Sequence, residues 1–421
     1  MFLNIQSLKI MWNPNLPKLG LGFSRRWISN SNRFAALWGN GDYGRLGLGN
    51  LDSQWSPTIC RGLDDQNVKA ISCGGAHTLF LTEAGRVFAT GLNDFGQVGV
   101  SLEKGYTLEP LEVSALPKEI IHVSAGYHHS SAVTVDGELY MWGNNSSGQL
   151  GLGKSAAKKV PSPSRVDCLN GVRIKMTALG SEHSVAITDE GETLSWGAGG
   201  SGRLGHGHQS GLLGFLSSSS EFTPRLIKTL EGHKVTDVSA GFMHSACIDE
   251  NGTVFIFGER SFDKLGFGKV NNATSPSMVN ELPNCRGIAC GGYHTCVITI
   301  GGELYTWGSN ENGCLGIGCI EAIYEAERVE GPFLKFSVST ISCGWKHTAA
   351  VSGGKVFTWG WGGSHGTFSV DGNSSGGQLG HGNDIDYYEP MMVNFGKNIK
   401  VLDVSCGFNH TGAILEYTQS S

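Results

Sequence analysis

From Phe34 onward the chain alternates short apolar runs with glycine-bearing turns, and the same succession returns about every 52 residues. Each unit contains an apolar run ending in Gly-x-x-His, at Gly74/His77, Gly126/His129, Gly180/His183, Gly241/His244, Gly291/His294, Gly344/His347 and Gly407/His410. Its second marker is an aromatic residue followed by glycine, at Trp38-Gly39, Trp142-Gly143, Trp196-Gly197, Phe257-Gly258, Trp307-Gly308 and Trp359-Gly360, with Thr90-Gly91 as the degenerate copy. Two independent markers therefore hold one period. Between them, Ala84-Gly85, Asp136-Gly137, Glu190-Gly191, Asn251-Gly252, Gly301-Gly302 and Gly353-Gly354 each divide two runs rich in β-branched and aromatic residues, the short-range signature of a β-hairpin. A polar loop with Gly-x-Leu-Gly follows, as in Gly148-Gln149-Leu150-Gly151. A repeat of this length built from several short strands predicts one blade of a β-propeller.

The seventh unit is split between the chain ends. The run Val404 to Leu415 carries a Gly-x-x-His with no hairpin turn after it, and the run Phe34 to Gly39 carries a Trp-Gly with no Gly-x-x-His before it. Pairing these two runs completes a blade, shuts the ring and removes the open sheet edges that invite association. The expected fold is all-β, a seven-bladed β-propeller over residues 34–416, with a segment 1–33 before it and a short tail 417–421 after it.

Composition supports strands over helices. Glycine supplies 63 of 421 residues and charged residues only 16%, and glycine costs a helix interior about 1 kcal/mol relative to alanine. Apolar residues at 39% suffice for a core and exclude a disordered chain. No apolar run approaches the roughly 18 residues of a membrane span. Residues 1–41 contain Lys9, Lys18, Arg25, Arg26 and Arg33 and no acidic residue, beside Ser7, Ser24, Ser29 and Ser31. That profile predicts an organellar transit segment, with the mitochondrial matrix as destination and the chloroplast or nucleus as alternatives. Without these five cations the net charge of −6 becomes −11, so the body offers no global attraction for nucleic acid. The 11 cysteines are odd in number and include no Cys-x-x-Cys pair. Several precede the repeated glycine, as Cys73, Cys290, Cys343 and Cys406 do, and read as buried small hydrophobes.

Two runs match G-x-G-x-x-G, Gly39 to Gly44 and Gly197 to Gly202. A dinucleotide site needs this run between a strand and a helix. Here it falls in a repeated loop, so it reads as a turn. The seven histidines recur once per blade, which spreads them around a ring and predicts buried, hydrogen-bonded side chains in place of a catalytic or metal cluster. No cofactor and no catalysis are expected.

The elements Ser72-Cys-Gly-Gly-Ala-His-Thr78 and Leu139-Tyr-Met-Trp-Gly-Asn-Asn-Ser-Ser-Gly-Gln-Leu-Gly-Leu-Gly153 resemble the repeat of the regulator of chromosome condensation propellers. One inherited possibility is guanine-nucleotide exchange on a small GTPase. Another is the ultraviolet-B photoreceptor, whose light sensing uses tryptophans in Gly-Trp-Arg-His-Thr elements. Only Gly344-Trp345-Lys346-His347-Thr348 is close to that element here, so a tryptophan cluster is not expected. The transit-like segment and the runs Leu304 to Gly316 and Gly344 to Gly366 are most similar to the plant mitochondrial members. That resemblance implies support for splicing of an organellar intron in a transcript for a respiratory NADH dehydrogenase subunit, and so for biogenesis of that complex.

Two repeats are longer than their siblings, through His206 to Glu221 and Trp361 to Gly376. Both insertions fall after the aromatic-Gly strand and should leave the same face. Phe215, Trp361, His365, Phe368 and Asp371 are the expected protein-partner contacts, the aromatic ones being taken as exposed, since loops on rigid scaffolds concentrate function. Lys154, Lys158, Lys159 and Arg165, with Arg173 and Lys175 nearby, form a local basic cluster that could meet an RNA backbone. The expected partners are splicing proteins or organellar RNA, with a small GTPase as the alternative.

Overall fold

The computed structural model describes residues 33–117, 119–207, 220–259, 273–363 and 376–418. It is a propeller of seven four-stranded antiparallel sheets. In blade one the strands Val68–Cys73, His77–Thr82, Val87–Leu92 and Tyr106–Glu112 follow one another outward from the axis. The other inner strands are Ile120–Ala125, Ile174–Leu179, Val235–Ala240, Cys285–Cys290, Val338–Cys343 and Ile399–Cys406.

Blade seven is built from both chain ends. Arg33–Gly39 pairs antiparallel with His410–Tyr417, in a register running from Phe34 opposite Leu415 to Gly39 opposite His410. The C-terminal arm carries two strands, since Ile399–Cys406 lies inside His410–Tyr417, and Gln54–Ile59 completes the blade on the outside. The seam therefore falls in the middle of the sheet, where the backbone bonds that close the ring are covered on both faces.

The core lies between blades. The strand His77–Thr82 is buried along its whole length. Because successive side chains point to opposite faces, Leu79 and Leu81 pack with Trp142 of blade two, whereas Phe80 packs with Leu37 and Ile414 of blade seven. Second strands are thus covered on both faces, which explains their continuous apolar runs. Trp38, Trp142, Trp196 and Trp359 are fully buried in these seams. The glycine after the aromatic serves a close approach: at Gly143, with φ of +106°, a Cβ would lie 2.6 Å from the His128 carbonyl oxygen. The glycine-rich run Gly39 to Gly44 leads into the short 3-10 turn Asp42–Gly44 and not into a long helix, so it is a turn as expected. Among the described residues no helix is long and apolar enough to cross a membrane.

Candidate functional site

Each repeated histidine begins the second strand of its blade, and its Nε2 meets a hydroxyl at the equivalent place one blade on. The contacts are His77 to Ser130 at 2.9 Å, His129 to Ser184 at 3.2 Å, His183 to Ser245 at 2.8 Å and His244 to Thr295 at 3.0 Å. They continue through His294 to Thr348 at 2.8 Å, His347 to Thr411 at 2.9 Å and His410 to Thr78 at 2.9 Å. The last contact crosses the seam, so the circuit is closed. Thr78, Ser130, Ser184, Ser245, Thr348 and Thr411 also lie 2.7–2.9 Å from a carbonyl oxygen of a Gly-x-Leu-Gly turn, or of its variant Gly96-Gln97-Val98-Gly99 for Ser130. A hydroxyl has one proton, and the carbonyl can only accept it, so the imidazole must donate through Nε2–H. A second proton has no acceptor at Nδ1 of His77, His129, His183, His347 or His410, which favours neutral rings. Burial agrees, pushing His77, His129, His294 and His347 down to about 3 and His244 to about 4. These buried, hydrogen-bonded rings form the seam between blades.

Two more features belong to that seam. Trp142 and Trp196 donate their indole N–H to the carbonyls of Gln97 and Gln149, the same oxygens that accept from Ser130 and Ser184. Gly126 leaves room for its own histidine, since a Cβ there would stand 2.5 Å from His129 Cε1 and 2.8 Å from the Gly180 carbonyl oxygen.

The inner strands enclose an axial cavity of ≈ 320 Å³. The residue after each Gly of Gly-x-x-His stands at its mouth: Gly75, Tyr127, Ser181, Phe242, Gly292, Trp345 and Phe408. Four of these are aromatic, and they touch. Trp345 stacks on Phe408 at 4.3 Å and 10°, Phe408 meets Tyr127 edge-on at 5.3 Å, Tyr127 meets Phe242 at 6.0 Å, and Phe242 meets Tyr293 at 5.9 Å. The rim is braced from below, where Arg45 Nη1 donates to the Gly75 carbonyl and Arg203 Nη1 to the Phe242 carbonyl, each at 3.3 Å. Glu182 and Glu259 both act on Arg203, and burial raises the Glu259 carboxyl above its ordinary range. Aromatic faces beside carboxylates and backbone carbonyls can hold an apolar or cationic side chain of another protein.

The family model described as the RCC1-like domain matches residues 35–413. The chain belongs to the RCC1-like family. Among curated relatives, the ultraviolet-B receptor UVR8 of Arabidopsis thaliana is 33% identical over 86% of this chain and 78% of its own. The mitochondrial RCC1 domain-containing protein RUG3 of Arabidopsis thaliana is 32% identical over 67% of this chain and 62% of its own. The human E3 ubiquitin-protein ligase HERC2 is 30% identical over 90% of this chain, yet the chain spans only 8% of that protein. Human WBSCR16 superposes with a TM-score of 0.77 and 25% identity, covering 92% of this chain and 100% of its own. Prp20p of Saccharomyces cerevisiae superposes with a TM-score of 0.78 and 22% identity, covering 93% of each chain. The period, the markers and the closure thus belong to an RCC1-like propeller.

Within this propeller, Trp361 is not the exposed contact the sequence suggested. It is buried at 5% exposure, because its amide N–H is tied to the Lys346 carbonyl and its own carbonyl accepts from Gln378 Nε2, which sets the ring against Trp345 at 5.7 Å and 90°. Trp345 thus has one tryptophan beside it, a pair and not a cluster. Phe215, His365, Phe368 and Asp371 lie outside the described residues. The basic cluster is divided. Lys154 and Lys158 lie before the outermost strand of blade two, and Lys159 begins it; Arg165 ends it, roughly 20 Å away at the usual rise per residue. Arg165 is paired with Glu138 and Asp167, and Arg173 with Asp189. The aromatic mouth does not stand out in the sequence because its residues vary from repeat to repeat, whereas the markers of the fold recur. Its signal is one fixed position beside a repeated glycine, holding Tyr127, Phe242, Trp345 and Phe408.

Proposed function

We propose that this RCC1-like propeller is a non-enzymatic scaffold in mitochondria that supports RNA processing, namely intron splicing of a transcript for a respiratory NADH dehydrogenase subunit, by holding protein partners at the aromatic mouth. The observation that carries the reading is the unbroken run of rings from Trp345 through Phe408, Tyr127 and Phe242 to Tyr293, a surface suited to capture of a protein side chain. Mitochondrial residence is supported by the acid-free basic segment 1–41 and by the likeness to RUG3. Lys154, Lys158 and Lys159 would offer an auxiliary RNA contact.

The alternative is nucleotide exchange on a small GTPase, favoured by the likeness in fold to Prp20p, a protein studied for its binding to Gsp1p and histones. Crosslinking in intact mitochondria separates the two readings. The scaffold reading expects splicing proteins or the transcript to be recovered with the wild-type chain, and recovery to fall by an order of magnitude when Phe408 and Tyr127 are both changed to Ala. Faster nucleotide release from a mitochondrial GTPase in the presence of the pure chain, with no such crosslinks, would favour the alternative. A fluorescent reporter carrying residues 1–40 should enter mitochondria; a diffuse or nuclear signal would remove the ground for an organellar role.

A further inference from the structure

Between blades five and six, an imidazole nitrogen of His294 and the sulfurs of Cys296 and Cys343 all lie within 4.8 Å of one another. Cys296 stands two residues after a seam histidine and faces the inner strand of the next blade. The equivalent pairs elsewhere hold at most one sulfur: Ala246 with Cys290, Ala349 with Cys406, and Gly412 with Cys73, where a Cβ on the glycine would sit 3.3 Å from the sulfur. Two thiols and an imidazole therefore converge at one seam among the seven.

We infer that His294, Cys296 and Cys343 form a binding site for a soft d10 cation, monovalent copper in particular. Thiolate sulfur suits Cu(I) and zinc, and imidazole suits both. Three converging protein ligands fall one short of a closed structural zinc site, which favours Cu(I) and makes an open zinc site the competing outcome. The present partners of the sulfurs are weak ones that a metal can replace: Cys296 Sγ lies 3.4 Å from Thr306 Oγ1 and Cys343 Sγ 3.6 Å from the Ala289 carbonyl oxygen, whereas His294 ligates through Nδ1 or gives up its 2.8 Å contact from Nε2 to Thr348 Oγ1.

The site is reachable from two sides. Cys343 lines the axial cavity, and His294 with Cys314 lines a separate cleft of ≈ 210 Å³ beside Tyr293 and Trp345. Binding releases the protons still on the thiols to solvent, and no bond or oxidation state of the ion changes, so no further reactant is needed.

The test is an anaerobic titration of the reduced full-length chain with Cu(I) in competition with bathocuproine disulfonate. Wild type is expected to hold one equivalent against the chelator, and the C296A/C343A double variant to hold it at least about 100-fold more weakly, two of three ligands being gone. That variant should fold, since alanine already stands at these places in sibling blades as Ala246, Ala349, Ala125 and Ala240; unchanged circular dichroism confirms it. Cys168→Ser, an exposed thiol elsewhere, should leave copper binding intact. Equal copper retention by wild type and the folded double variant, or a preference for Zn(II) in the wild type, overturns the inference.

Discussion

A single hydroxyl in the seam shows how the molecule is held. Thr411 donates to the Gln378 carbonyl and accepts from His347 Nε2, with no solvent at hand to replace either partner. Thr411→Val keeps the shape and strands a buried N–H, at a cost of about 1–3 kcal/mol. A clear fall in melting temperature is expected, whereas Thr411→Ser should melt nearly as wild type does, because Ser130, Ser184 and Ser245 do the same work in sibling blades. Gly126→Ala should be worse than either, since the new methyl meets the backbone oxygen of Gly180 as well as its own histidine ring; thermal denaturation ranks the three. At this scale the sequence announced that the histidines are buried and bonded, because one buried polar group per repeat demands a repeated partner. It could not name the partner, which is supplied from another blade some 51 to 64 residues away or, at the seam, across the whole chain. Trp361 escaped for a related reason: it sits at the start of an insertion, yet its own backbone bonds turn it inward.

The blades as elements respond to acid in a direction fixed by these rings. Seam histidines have folded values near 3 to 4 against an ordinary 6.5, so their contribution to stability is present above about pH 6.5 and is lost as pH falls toward 3. A tenfold loss of proton affinity corresponds to about 1.4 kcal/mol, so a few rings together exceed the margin of a typical domain. Urea midpoints are expected to fall steeply below pH 5 in one cooperative transition. Asp403 works the other way. Burial raises it from 3.8 to about 6, so it favours the fold below about pH 3.8 and that contribution disappears as pH rises through 6. Asp403→Asn should therefore raise the urea midpoint at pH 8 relative to wild type and bring little change at pH 4. The strands, hairpins and turns were legible because each repeat restates them, and fully buried second strands betray themselves as apolar runs. The layout of the basic residues was not, since residues a few positions apart can stand at opposite ends of a strand, as Lys159 and Arg165 do.

For the whole molecule, the split blade was readable from which marker each chain end lacks, and the family match over residues 35–413 agrees with it. What escaped was the mouth, a property of the closed ring: Trp345 and Tyr127 come from different blades and meet through Phe408 only because the seam brings the C-terminal arm between them. Deleting residues 33–39 would strip His410–Tyr417 of its partner strand, leaving an open edge, and the product is expected to self-associate in sedimentation velocity runs where the intact chain does not. The claim that the mouth carries function is tested most directly by placing the photo-crosslinker p-benzoylphenylalanine at Phe408 or at Tyr324, an exposed residue on the outermost strand of blade five, and irradiating intact mitochondria. The account expects discrete adducts with splicing proteins or transcript from position 408 and none from position 324. Adducts from position 324 alone, or none from either, would contradict it.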